Sequence, residues 1–319
     1  MECPAIEGGL RKCKNLLREV RIMVWGTIIA AYLFLAGLSA GAFLTSSYAA
    51  RKYPEAVTIR IVGRIISPVL MGIGLLLLIV DAEAGLKDPL RFIYLFTNFS
   101  SVMTIGTYFI SFFMMAAAFI ALMEILKKEI NKIVEYVGIF FAVATAIYTG
   151  FLIGVIGAVP LWNTAILPIL FVVSAFSTGI AGTMLTSAFI DKKVVHHVMS
   201  LKKIHVSLLI AEVFLIFTMF VITSSSNESA AQSVAMLLSG EYSVLFWTGL
   251  ILVGLLVPIV IESLELYNSR QLHRRAGMEV AAAGSPGFTA IVITESAVLA
   301  GGFILRYLLL AAAVPVIFL

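Results

Sequence analysis

Ionisable side chains lie inside, or at the end of, long apolar runs of this sequence. Among them are Arg64, Asp81, Glu212, Glu295 and Arg306. Charged groups at membrane depth are costly, so they usually pair with one another or line a cavity. Two interpretations are open. Interhelical ion pairs would join Arg64 to Glu212 or Glu295, whereas carboxylates that take up and release protons would make Glu212 and Glu295, together with Arg64, part of a proton path.

Other reactive groups are sparse. The four histidines fall in predicted loops or at a helix start; they are His196, His197, His205 and His273. A haem inside a helical bundle needs paired axial ligands from facing helices, so we expect no haem. The two cysteines, Cys3 and Cys13, are too few for an iron–sulfur cluster, and we interpret them as free or disulfide-linked surface thiols. The sequence has no P-loop, no H-E-x-x-H motif and no nucleophile elbow, and it predicts no metal site.

The elements that position these residues are membrane helices. The protein is 61% hydrophobic and 13% charged, with a mean hydropathy of +1.06, whereas a soluble domain is roughly half apolar and a quarter charged. Apolar runs longer than the ~18–20 residues that cross a bilayer occur repeatedly. The composition therefore predicts an all-α integral membrane protein. Its expected partner is the lipid bilayer, and no nucleic-acid binding is expected.

Eight transmembrane helices are predicted, joined by short connections. Their approximate bounds are 22–50, 61–81, 95–124, 135–158, 163–190, 204–224, 243–266 and 290–317. The run 22–50 is far longer than the ~7–15 apolar residues of a signal peptide, so we interpret it as a retained helix.

The basic residues predict the orientation of the protein. Thirteen Lys and Arg residues lie in the loops that follow odd-numbered spans, against seven on the opposite face. Because loops rich in Lys and Arg stay in the cytoplasm, both termini are expected on the outer, non-cytoplasmic face of the cell membrane. The basic segment 1–21 argues the other way.

A weak internal repeat divides the sequence. The pattern that starts at Gly41, with Leu44, Thr45 and Ser46 and two basic residues after it, recurs at Gly182 with a constant offset of 141. An offset of four spans keeps both copies in the same orientation, which is typical of a parallel duplication. We therefore predict an N-terminal extramembrane segment (1–21) and two four-helix halves (22–159 and 160–319). Chance similarity between two helices rich in small residues is the alternative.

The segment from Tyr148 to Ser174 carries the most specific motif. Its characteristic residues are Tyr148, Gly150, Leu152, Pro160, Trp162, Asn163, Leu167, Pro168, Phe171 and Ser174. Weaker matches follow in order elsewhere: Trp25 with 32–37, Asp81 with 89–106, and 301–307. Together they resemble the polysulfide reductase membrane subunit family, often called NrfD/PsrC-like. One departure is the loop from Asp81 to Pro89, which is four residues longer than the family's usual Asp-Leu-Gly-Arg-Pro.

The resemblance implies a quinone-binding subunit of a respiratory oxidoreductase. Such subunits bind a quinone (menaquinone or ubiquinone) near the outer face. They exchange electrons with a ferredoxin-like iron–sulfur subunit, which serves a catalytic subunit that is often a molybdopterin enzyme. By motif match Tyr148 would donate a hydrogen bond to a quinone carbonyl, although packing is the ordinary role of a lone tyrosine in a span. Weaker candidates for the quinone site lie towards the same face: Trp25, Asp81, Trp162, Asn163 and Arg306. Both tryptophans could equally be interfacial anchors.

Small residues in the first span raise a further question. Gly37 and Gly41 are four residues apart and so share one helix face. They predict close helix packing, or the wall of a pocket for a flat ring. Two other functions suit the same sequence: a proton- or ion-coupled secondary transporter, and a passive membrane anchor of a redox complex.

Overall fold

The computed structural model describes residues 26–81, 96–98, 101–191, 195–276 and 287–315, without the side chains of 195–200, 270 and 272–276. Trp25, both cysteines and the predicted segment 1–21 lie outside the described residues. The helices are α1 (Thr27–Lys52), α2 (Val57–Asp81), α3 (Val102–Ile125), α4 (Lys132–Gly154), α5 (Ile166–Ile190), α6 (Val195–Ser224), α7 (Glu228–Leu238), α8 and α9 (Phe288–Ala311). Helix α8 joins a π-helical part (Leu245–Leu256) to an α-helical part (Val257–Ala276).

Eight of these helices, all except α7, are long and apolar enough to cross a membrane. At 1.5 Å per residue, even the 23-residue α4 is about 35 Å long, which exceeds the ~30 Å hydrocarbon core. The predicted all-α membrane fold with eight spans is therefore confirmed. The bounds differ by a few residues. For example, α4 ends at Gly154 and not at 158, because the polypeptide turns before Pro160.

Successive spans run in opposite directions and define two faces of the bundle. We call them the Thr27 face, where α1 begins, and the Lys52 face, where α1 ends. The Thr27 face also carries the short helix α7, which the sequence did not predict as a separate element. Helix α7 is held to the C-terminal segment by a hydrogen bond from the Val314 N–H to Ser233 Oγ (3.1 Å).

Helices α1 and α5 form the centre of the bundle. In the apolar window of each span, 67% of α1 and 72% of α5 is buried, against 33–56% for the other spans. Both helices carry buried small residues on several sides, as expected for helices that contact protein and not lipid. Their backbones approach most closely where Gly41 meets Ala175 and Gly179, and a Cβ atom added to either glycine would overlap the other helix's backbone.

The two halves of the protein have the same pattern of helix neighbours. Helix α1 packs on α2 and α4 as α5 packs on α6 and α9, and α3 contacts α4 as α8 contacts α9. The repeated glycines at 41 and 182 lie on the two central helices, α1 and α5. This pattern is what a parallel duplication would produce, while the domain boundary at residue 159/160 stays a prediction.

The close approach of α1 and α5 yields a test of the fold. A Gly41→Ala substitution places a methyl group against the Ala175 backbone carbonyl, which cannot move without separating the helices. We expect a loss of about 1–3 kcal/mol in stability, as for other overpacked cores. The measurement is the midpoint of thermal unfolding of the detergent-purified protein.

The matched control is Gly72→Ala in α2. A Cβ at Gly72 would have only the end of the Met114 side chain nearby, at 3.7 Å. The control should therefore unfold close to the wild-type midpoint. Equal midpoints for the Gly41 and Gly72 variants would contradict the close packing of the central helices.

Candidate functional site

Tyr148 lies in the protein interior near the Thr27 face. It stands six residues before the end of α4, about 9 Å along the helix axis, and only 7% of it is exposed. Its ring covers Gly106 of α3, where a side chain of any size would overlap the ring. Tyr32 of α1 is close enough to interact with it electrostatically. The Tyr148 hydroxyl forms no hydrogen bond within the described part of the protein.

Trp162 and its neighbour Asn163 lie in the turn between α4 and α5. Trp162 is fully buried, and its indole Nε1 donates a hydrogen bond of 2.7 Å to the Leu309 carbonyl of α9. This burial differs from the lipid-facing position of an interfacial anchor. Asn163 is exposed, and Asp81, at the end of α2 on the same face, is partly exposed. The three predicted residues therefore share a face with Tyr148, while the Trp162 indole is directed to α9.

Arg306 of α9 is fully buried inside the membrane region. Its Nη1 donates hydrogen bonds to Ser174 Oγ of α5 (3.1 Å) and to the Gly302 carbonyl (2.7 Å). The other end of the guanidinium, Nη2, occupies the space that Gly37 of α1 leaves by having no side chain. Gly37 therefore makes room for a charged group, which goes beyond the close packing that the sequence predicted.

Aromatic rings complete the surroundings of this guanidinium. Its central carbon lies 5.3 Å from the Phe171 ring centroid and 5.8 Å from that of Phe34. A guanidinium at such distances from ring faces is attracted by the ring quadrupoles. Rings on two central helices thus help to stabilise the buried charge of Arg306.

Glu212 of α6 is linked to Arg306 through a serine. The Glu212 carboxyl is buried and lies near Ser174, the residue that accepts a hydrogen bond from Arg306. Glu212 and Arg306 attract each other electrostatically across this serine. Three helices thus contribute one residue each to a Glu212–Ser174–Arg306 relay. The sequence motif included Ser174 but assigned it no role.

Glu295 belongs to a second cluster, closer to the Lys52 face. His205 Nδ1 of α6 lies 2.9 Å from Glu262 Oε1 of α8 and 3.6 Å from Glu295 Oε2 of α9. All three side chains are fully buried. Lys202, one turn before His205, is paired with Glu265 of α8.

Most of this second cluster was not predicted from the sequence. The predicted span began at residue 204, so His205 was assigned to a helix start and Lys202 to a loop. In the structure α6 begins at Val195, which carries both residues into the bundle. The signal was present in the spacing: Lys202, His205, Leu209 and Glu212 follow each other at intervals of three or four residues and share one buried helix face.

Arg64 of α2 forms interhelical ion pairs, which was one of the two interpretations of the sequence, but its partners differ from the predicted ones. It contacts Glu124 of α3 (2.5 Å) and Glu135 of α4 (3.1 Å) rather than Glu212 or Glu295. Arg60 adds a second contact to Glu124 (3.0 Å), and Arg51 of α1 lies 3.9 Å from Glu135. This network ties all four helices of the first half together at the Lys52 face.

Comparison with known proteins identifies the family. The family model for Polysulphide reductase, NrfD matches residues 16–317. The C chain of the polysulfide reductase of Wolinella succinogenes is 34% identical over 275 residues, which cover 77% of this protein and 85% of that relative.

Two further relatives show a similar extent of match. Protein NrfD homolog of Haemophilus influenzae is 30% identical over 272 residues (75% of this protein, 83% of the relative). Protein NrfD of Escherichia coli is 27% identical over 272 residues (75% and 84%). With eight apolar helices and a family match across nearly its whole length, the chain is a multi-pass membrane protein of the polysulphide reductase, NrfD family.

Proposed function

We propose that this protein is the quinone-binding membrane subunit of a respiratory oxidoreductase. Membership of the polysulphide reductase family implies a membrane subunit of a redox complex. The observation that carries the finer proposal is Tyr148, a buried phenol near one face of the membrane with no hydrogen-bond acceptor for its hydroxyl among the described residues. A phenol can donate a hydrogen bond to a quinone carbonyl without carrying a charge into the membrane.

The surroundings of Tyr148 support this role. Gly106 allows the phenol ring to lie flat against α3, which limits its movement. Tyr32 supplies a second phenol from α1, and it is fully buried. A group held in place by packing loses less freedom when it binds a ligand, so its hydrogen bond contributes more to affinity.

Electrons would pass between this quinone and partner subunits at the Thr27 face. The protein offers no redox centre that we can identify from its sequence, so a ferredoxin-like iron–sulfur subunit and a catalytic subunit, of the molybdopterin class in the resembling complexes, are the proposed partners. The relative from Wolinella succinogenes is, by its name, one chain of a polysulfide reductase. With the orientation that the basic loops predict, the Thr27 face is the outer face.

Quinone chemistry also requires protons, and Glu212 is our candidate for their transfer. Reduction of a quinone to a quinol consumes two electrons and two protons, and oxidation returns them. In the Glu212–Ser174–Arg306 relay, Ser174 and Arg306 extend the polar groups from Glu212 toward the Thr27 face, and Glu212 is the member that would exchange protons because arginine keeps its proton. Arg64 and Glu295, the other predicted members of a proton path, lie outside this relay, in the two clusters nearer the Lys52 face.

Transport and passive anchoring make different predictions for the same structure. Buried charges on α6 and α9 would also suit an ion-coupled transporter. Ion-driven uptake by the isolated protein in liposomes would favour transport. A purified complex that binds no quinone but keeps its activity with artificial electron donors would favour a passive anchor.

Removal of the Tyr148 hydroxyl tests the quinone site. In Tyr148→Phe the ring still packs on Gly106, but the donor to the quinone carbonyl is lost. One hydrogen bond contributes about 1 kcal/mol, so we expect quinol-linked turnover to fall about fivefold. The measurement is steady-state turnover of the purified complex with a quinol analogue.

Two controls accompany this variant. Tyr267→Phe removes the hydroxyl of an exposed tyrosine on α8 that hydrogen-bonds only to Gln271 among the described residues, and should leave turnover unchanged. Activity with artificial donors should stay at the wild-type level in both variants, which shows that the complex is assembled. Wild-type quinol turnover in Tyr148→Phe would remove the main support for the proposal.

Glu212→Gln tests the proton route. Glutamine can keep the contact with Ser174 but cannot release a proton, so we expect quinol turnover and the accompanying proton release in proteoliposomes to fall together by about 10²-fold, the lower range for a lost acid–base group. A pH-sensitive dye measures the release. The control is Glu228→Gln at the exposed start of α7. Unchanged proton release in the Glu212 variant would exclude this residue from the route.

A further inference from the structure

The His205–Glu262–Glu295 cluster brings three potential metal ligands together from three helices. One donor atom from each residue lies within 4.8 Å of the others. The two separations from His205 Nδ1 are 2.9 and 3.6 Å. Ligands bound tetrahedrally at 2.0–2.1 Å lie about 3.3 Å apart, so these donors would need only small shifts to bind one ion. No short sequence motif contains these three residues, because they are separated by 57 and 33 positions.

Several oxygens in the cluster have no hydrogen-bond partner in the described part of the protein. They are both carboxylate oxygens of Glu295 and Oε2 of Glu262, and all of them are buried. A buried carboxylate without compensating partners is strongly destabilising. Lys202 is the nearest permanent cation on α6, and it is already paired with Glu265. His205 Nδ1 is hydrogen-bonded to Glu262 Oε1, and Lys202 acts on Glu295 only at a distance, so among the described residues no permanent cation contacts either carboxylate of the cluster.

The first half of the protein shows how the same arrangement is neutralised there. Arg64 and His205 are related by the repeat offset of 141, and so are Glu124 and Glu265. In the first half the guanidinium of Arg64 binds two carboxylates from the next two spans. In the second half a histidine takes the position of that arginine and again faces two carboxylates from the next two spans, but an imidazole carries no permanent charge.

We propose that His205, Glu262 and Glu295 bind a divalent transition-metal ion of the Zn²⁺ class. Two carboxylates and a neutral imidazole balance a charge of +2 and provide the three protein ligands typical of an open zinc site. The imidazole nitrogen disfavours Mg²⁺ and Ca²⁺, which prefer oxygen ligands. The ion would join α6, α8 and α9 as Arg64 joins α2, α3 and α4.

The Lys52 face is the side from which an ion would enter. Glu265 lies on that side of the cluster, and its side chain is 16% exposed. It lies three residues, about one helical turn, beyond Glu262 on α8. A cation from the Lys52 face would reach Glu265 first and the three ligands next.

Metal content tests this site without reference to quinone activity. The purified complex is treated with a chelator, reloaded with ZnCl₂ alone, freed of excess metal and analysed by mass spectrometry. We expect Glu295→Gln to hold about one Zn²⁺ less per copy of this protein than wild type, and Glu228→Gln to hold the same as wild type. Zinc bound by other subunits is the same in the wild-type and variant complexes, so it does not affect the difference in zinc content between them.

His205→Arg supplies a second test in case Glu295→Gln fails to assemble. It recreates the built-in cation of the first half, so we expect an assembled complex that binds one Zn²⁺ less and whose unfolding midpoint no longer rises when Zn²⁺ is added. In wild type the midpoint should rise with Zn²⁺. Equal zinc content in wild type and both cluster variants would overturn the proposal. The carboxylates would then be neutralised by protons. This outcome does not depend on the result of the quinone experiments.

Discussion

The contact between Gly41 of α1 and Gly179 of α5 determines how the rest of the bundle is arranged. Lipid provides no hydrophobic drive for helix association, so the two central helices depend on close van der Waals packing, which only residues without large side chains permit. The same approach brings Gly37 against the Arg306 guanidinium, which is hydrogen-bonded to Ser174, next to Ala175 on α5. A wider separation of α1 and α5 would open a cavity beside that charge and move the Phe34 ring away from it. Packing of small residues and placement of buried charge are therefore one constraint.

The two halves meet this constraint with different chemistry. At the Lys52 face both have a basic or ionisable residue on their second helix that faces carboxylates of the following spans, namely Arg64 in one and His205 in the other. Deeper in the membrane the halves diverge. Met71 occupies the repeat position of Glu212, and both side chains are buried. Among the described residues, the first half thus has no charged group at this depth, although Ser39 and Ser67 are hydrogen-bonded there, whereas the second half continues with Glu212 and Arg306 towards the Thr27 face.

Sequence reasoning was successful where one helix alone carries the signal. Hydropathy over 20 residues identifies a span whatever its neighbours are, so the eight helices were predictable, and the Tyr148 motif identified the family. Partners across helices were not predictable in this way: Arg64 pairs with Glu124 and Glu135 because of the α2–α3–α4 geometry, which a single sequence does not contain. Charged residues also shorten the apolar run that marks a span, and this placed Lys202 outside, and His205 at the start of, a helix that in fact begins at Val195. Hydropathy therefore places the ends of a helix least well where buried charged residues lie near them.

The order of groups along α6 bears on how protons could reach a quinone. Glu212 and His205 are seven residues apart, about 10 Å along the axis, and the fully buried Leu209 lies between them on the same helix face. The described side chains therefore provide no continuous hydrogen-bonded connection from the Lys52 face to Glu212. If a metal ion occupies the His205 cluster, its two carboxylates are not free to carry protons, and Glu212 exchanges protons with the Thr27 side. Electrons and protons of the quinone reaction would then use the same face, and the reaction itself would move no proton across the membrane through α6. Transmembrane proton movement along α6 would require water or a side-chain movement past Leu209. This leucine therefore separates two modes of coupling: proton exchange with the Thr27 face alone, and proton movement across the membrane.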